Sequence, residues 1–169
     1  SDVYKRQMFN GKAFFYLIIL GFILGVGQAL QQISLIYTDV ANTGVFTVMY
    51  VLIVPFISYF IFSKKIHWSV WFAAFFCVIG GLLLSELKNI SVRYGDTLGV
   101  LSAFCWAIHI IYISKTIKFF NFPITIAMSQ CLIAFLFTLL PMFAYEEPLI
   151  NNILKESYEI LYVGALSSG

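Results

Sequence analysis

Charge is what this sequence has least of. Only 11% of its 169 residues are Asp, Glu, Lys or Arg, against about a quarter in a soluble domain. With 61% hydrophobic residues and a mean hydropathy of +0.92, the chain lacks the polar groups needed to cover a surface in water. Its solvent is therefore lipid. The formal net charge of +2, with no basic stripe, gives no footing for a nucleic-acid partner. Cysteine is scarce as well. Cys77, Cys105 and Cys131 each stand alone in an apolar run and none has a partner at CxxC spacing. They read as small buried hydrophobes; neither a disulfide framework, nor a metal site, nor a cofactor is expected.

The motifs of self-powered or catalytic proteins are missing too. Without a Walker-type glycine-lysine loop the chain does not drive itself with ATP. HExxH and GxSxG are absent. Ser102 or Ser129 would have to serve His109 in an intramembrane protease. Ser102, however, lies seven residues from His109 on the same stretch, nearly two turns away and beyond hydrogen-bond reach. No apolar run holds a pair of carboxylates. The enzyme reading lacks chemistry, and no catalytic residue is assigned.

What the sequence has is long apolar runs. A helix needs about 20 apolar residues to cross a hydrocarbon core of about 30 Å. Five stretches meet that length or come close, at about residues 13–37, 40–62, 68–84, 97–114 and 122–144, and a sixth begins near residue 160. They lack the alternation of a membrane barrel, so the fold class is all-α, a polytopic transmembrane helix bundle in a lipid bilayer. The 18 Phe and 10 Tyr suit tail packing and interfacial anchoring. Asp96 is placed to cap the fourth stretch, and Asn121-Phe122-Pro123 opens the fifth with a proline in its first turn.

Lysine and arginine set the orientation. The stretches Gly11–Lys12, Ser63–His67 and Ser114–Phe120 hold five basic residues and no acids. The opposite loops hold Lys88, Arg93 and Lys155 with every acid except Asp2. The positive-inside rule places the first set in the cytoplasm.

Polar residues inside the runs mark candidate sites. Gly21, Gly25, Gln28 and Gln32 fall on one helical stripe, where the glycines admit a close neighbour and the amides face a protein interior or a watery cavity. Thr43, Thr47 and Tyr50 share another stripe with Asn42 beside it, and Pro55 predicts a kink in mid-membrane. His109, on one face with Ser102 and Trp106, is the only His, Asp, Glu, Lys or Arg inside an apolar run. Such a group is costly in lipid and raises a site hypothesis; the alternative is a neutral imidazole bonded to a neighbouring helix. Gln130 is a weaker case of the same kind.

Three segments, in order, resemble the EamA-type branch of the drug/metabolite transporter superfamily. Ile36-Tyr37-Thr38-Asp39-Val40-Ala41-Asn42-Thr43-Gly44, followed by Pro55, is similar to the family's turn between its third and fourth helices. Val78-Ile79-Gly80-Gly81-Leu82-Leu83-Leu84 resembles its glycine-bearing fifth helix. Gly95-Asp96-Thr97-Leu98-Gly99, continuing through Trp106 to His109, resembles the opening of its second repeat. The resemblance implies ten helices in two inverted repeats with a substrate site between the halves. On that plan residues 1–12 are a leader, partly foreign, residues 13–88 end the first repeat, and residues 89–169 start the second. The chain opens on Ser1 and closes on Gly169 inside a rising apolar run, so it is expected to be a fragment corresponding to helices three to eight.

The implied function is a secondary transporter or exporter of small metabolites across the bacterial inner membrane, working by alternating access. A non-transporting membrane scaffold or assembly subunit is the alternative. The expected substrate-binding residues are Gln28, Gln32, Asn42, Tyr50, Trp106 and His109. The amides and Tyr50 would hold polar groups of an unspecified small molecule, Trp106 would wall the cavity, and His109 would meet substrate or a proton.

Overall fold

The computed structural model describes residues 11–63, 65–84, 93–119, 122–145, 154–162 and 164. Residues 1–10 of the leader, Lys64, the links at 85–92, 120–121 and 146–153, and residues 163 and 165–169 lie outside the described residues. Among the described residues seven helices follow one another: α1 (Gly11–Tyr37), α2 (Val40–Val48), α3 (Tyr50–Phe60), α4 (Trp68–Leu84), α5 (Tyr94–Phe119), α6 (Pro123–Tyr145) and α7 (Ser157–Tyr162). No strand occurs among the described residues. The chain is a polytopic helical membrane protein. Among the described residues four spans are long and apolar enough to cross a bilayer, namely α1, the pair α2–α3 taken together, α5 and α6; α4 is a shorter apolar helix.

Described residues up to Phe135 belong to one compact unit, and those from Leu136 onward to another that holds the end of α6 and α7. In the first unit α1 and α5 make the most extensive helix pair, and α2 and α3 also lie against α5. The interior is built from small residues and short aliphatics. Leu20, Ala103 and Ala107 are fully buried, as are the hydroxyl residues Ser34, Ser102 and Thr116. Phe22, Phe75, Phe76, Leu101 and Leu132 point outward. A polar interior with an apolar exterior suits a chain whose solvent is hydrocarbon, where backbones approach over small residues and hydroxyls satisfy one another. Gly21 illustrates the approach, since a Cβ there would stand 2.5 Å from the Ile133 Cβ on α6.

Two boundaries differ from the sequence expectation. The second apolar stretch is interrupted at Met49, six residues before Pro55, where the Met49 N–H bonds to the Phe46 carbonyl three residues back at 3.2 Å. The tighter i to i−3 bond marks a local 3₁₀ turn. Just before it, the Thr47 hydroxyl bonds back to the Thr43 carbonyl at 2.7 Å, a pattern that bends helices. Beside the interruption lies an apolar cavity of about 260 Å³ lined by residues such as Phe46, Met49, Cys77 and Gly81.

The fourth stretch is longer at both ends, running from Tyr94 to Phe119. At its start Asp96 is the third helical residue, and its Oδ2 accepts the Arg93 backbone N–H at 2.9 Å. That is the reach-back half of a capping box, so Asp96 caps from inside the first turn rather than from ahead of it. At its end Thr116 bonds back to the Tyr112 carbonyl at 2.9 Å, and Lys118 in the last turn suits the negative end of the helix. α6 begins at Pro123, whose missing N–H costs nothing in a first turn.

Candidate functional site

The site is built on α5, with α1 on one side and α6 on another. Trp106 and His109 are three residues apart and therefore share a face; their rings meet edge to face with centroids 6.1 Å apart. His109 is buried, and its Nε2 lies 3.0 Å from Oε1 of Gln130 on α6. With that carbonyl oxygen as acceptor, a neutral His109 carries its proton on Nε2 and leaves Nδ1 as an acceptor. Trp106 is half-buried, but its Nε1 is fully enclosed and has no hydrogen-bond partner. An enclosed donor left unpaired costs about 1–3 kcal/mol. The edge of the indole lies against α1 at Gly27, where a Cβ would stand 3.8 Å from Nε1.

The other sequence-predicted residues are placed separately. Gln28 and Gln32 lie one turn apart on α1, both exposed, while the glycines of their stripe, Gly21 and Gly25, are buried. Asn42 on α2 and Tyr50 at the start of α3 are half-buried. Thus α5 brings Trp106 and His109 together, whereas the four remaining residues occupy faces of α1, α2 and α3. Two exposed amides on a membrane helix are unfavourable against lipid tails, so that face of α1 suits water or protein.

A second polar cluster sits where the turn between α1 and α2 meets the start of α5. Ser34 donates to the Gly95 carbonyl at 2.7 Å and shares a 3.1 Å bond with the Thr43 hydroxyl. Thr38 donates to Asp96 Oδ1 at 2.6 Å. Arg93 donates to Asp39 at 2.8 Å, an ion pair between exposed side chains. Tyr37 and Tyr94 meet edge to face at 5.4 Å. The backbones are in contact as well, since a Cβ on Gly95 would stand 2.8 Å from the Thr38 nitrogen and the Tyr37 carbonyl carbon.

The model of the EamA-like transporter family matches residues 1–86 and 93–169. The chain belongs to that family. It is accordingly a membrane transporter of small molecules, in a family of transporters rather than enzymes. No curated protein and no solved structure matched it.

In this EamA-like transporter the two polar clusters differ in how well the sequence announces them. His109 stands out as a lone titratable group in an apolar run. Gln130 as its partner is less visible, although both lie at comparable distances from the turn before Pro123 and an antiparallel hairpin brings such positions level. The bonds from Ser34 and Thr38 to Gly95 and Asp96 carry no local signal, because the partners are 61 and 58 residues apart.

Proposed function

We propose that this protein is a secondary transporter of small polar metabolites in the bacterial cytoplasmic membrane, working by alternating access. The observation that carries the reading is the pairing of Trp106 and His109 on α5 with Gln130 on α6, in a chain of the EamA-like family. Gln28, Gln32, Asn42 and Tyr50 are the further residues proposed to line the path. In this reading Gln28 and Gln32 offer amides to substrate oxygens and nitrogens, and Trp106 walls the cavity. His109 offers Nδ1 as an acceptor, and it is the only His, Asp, Glu, Lys or Arg in these runs. The proposal includes the family's inverted-repeat plan, with residues 13–88 closing one repeat and residues 89–169 opening the next. It also places Lys65 and Lys115 at the cytoplasmic face.

The test is transport by the intact protein in right-side-out and inverted membrane vesicles, using a panel of radiolabelled small metabolites. Saturable movement of at least one compound, lost in Trp106→Ala at equal protein level, is expected. Movement of none in either vesicle orientation, or no effect of Trp106→Ala, His109→Phe or Gln32→Leu on the movement observed, would overturn the assignment of the path.

A further inference from the structure

The enclosed Trp106 N–H raises the question of what holds it unpaired. A slide of α5 by one residue rise, about 1.5 Å, would change what the indole faces and let the donor find water or a carbonyl. Close packing along α1 and α5 resists such a slide, as at Gly27, where a Cβ would stand 3.3 Å from the Cys105 Cβ, but directional bonds decide which packed register is taken. Directional bonds from α5 to α1 and its following turn are concentrated at one end, where α5 begins, while farther along His109 bonds Gln130 on α6. Asp96 uses one carboxylate oxygen to close the first turn of α5 at the Arg93 N–H and the other to take the Thr38 hydroxyl from the turn between α1 and α2. Ser34 adds a second bond, to the Gly95 carbonyl. Asp96 and Thr38 are both buried, so water does not compete freely for this bond. The anchor lies about 15 Å along the axis from Trp106, and a rigid helix transmits its register over that length. The same bond joins the two stretches matched by the family model, since Thr38 lies in the first and Asp96 in the second.

We propose that Asp96 is a positioning residue whose bond to Thr38 holds α5 in the register that keeps the Trp106 indole N–H unpaired against α1, a donor that meets an acceptor oxygen on the substrate when the contact at Gly27 opens. The assignment of that donor to substrate rests on the transport reading above; the anchoring of α5 does not.

The sequence has three tryptophans, so Trp68→Phe with Trp71→Phe leaves Trp106 as the only indole emitter in the intact protein. In that background, Thr38→Val and Asp96→Asn are expected to move the Trp106 emission maximum to longer wavelength, as water reaches the indole. Thr38→Ser, which keeps the hydroxyl, is expected to emit like the parent. A merely structural bond would lower thermal stability without moving the emission, and that result would overturn the proposal. So would an equal shift in Thr38→Ser. Should Thr38→Val and Asp96→Asn fail to accumulate in the membrane, Ser34→Ala removes the neighbouring bond to Gly95 together with the one shared with Thr43, and Thr43→Val removes the latter alone; a smaller shift in the same direction is expected in Ser34→Ala beyond that in Thr43→Val, and no such difference refutes the anchor. Normal transport by Trp106→Phe alongside the expected emission shifts would sink the substrate role of the donor while leaving the anchor in place.

Discussion

Replacing Gly21 with alanine should force α1 away from α6. The added Cβ would stand 2.5 Å from the Ile133 Cβ and 2.6 Å from its Cγ2, whereas ordinary contact begins near 3.4 Å. No rotamer change relieves a clash between two Cβ atoms, because both are fixed to the backbone. The helices must therefore part by roughly 1 Å, the kind of overpacking that costs about 1–3 kcal/mol. The displacement falls beside the site, since the same Cβ would stand 3.1 Å from the Gln130 carbonyl oxygen, and the Gln130 side chain holds His109. Ile133→Gly removes the opposing Cβ with the rest of its side chain, so Gly21→Ala with Ile133→Gly leaves one Cβ at the contact instead of two. Unfolding titrations in SDS on the four proteins of the cycle measure the coupling, expected at about 0.5–3 kcal/mol with the double variant more stable than the sum of the singles. Additivity within about 0.5 kcal/mol would show that the two positions do not touch and would refute the reasoning.

His109→Gln should keep a polar partner for Gln130, whereas His109→Phe strands that amide at a cost of about 1–3 kcal/mol; SDS titration of the two variants should separate them. Where His109 exchanges a proton during transport, both variants flatten its pH dependence; where it only orients substrate, His109→Gln keeps the parent's pH profile and His109→Phe loses activity. Pro55→Ala restores a backbone donor in α3 and should leave the amount of protein in the membrane unchanged while reducing transport; equal transport at equal protein level would show the proline to be incidental. Asp39→Ala and Arg93→Ala, singly or together, should change stability by no more than about 1 kcal/mol, because the pair is exposed and screened by salt. A larger loss would place that pair inside the anchor with Asp96.

The membrane spans were legible because hydrocarbon makes one strong demand, an apolar run of sufficient length, and α1, α5 and α6 meet it openly. The break in the second stretch was not. Sequence reasoning puts the irregularity at Pro55, the one residue there without an N–H, while the interruption falls at Met49, which has no conformational peculiarity of its own. Thr47 was noticed as part of a hydroxyl stripe, but its bond back to Thr43 depends on a rotamer that sequence does not specify. Asp96 was readable as a cap because capping is local. Its second bond, to Thr38, requires knowing that the turn after α1 lies over the start of α5. Trp106 and His109 share a face by helical periodicity alone, whereas the relation of Gln28, Gln32, Asn42 and Tyr50 to them depends on how separate helices are placed.

The apolar cavity beside Met49 has a practical consequence. An engineered apolar cavity of about 150 Å³ stays dry and takes up xenon, and this one is larger, at about 260 Å³. Its wall includes the thiol of Cys77 and the thioether of Met49, both soft sulfur ligands. Noble gas under pressure and an apolar mercurial would therefore settle at the same place, next to the turn at Met49 that interrupts the second span. For crystallographic phasing, that supplies a heavy-atom position beside the break, at the Cys77 thiol.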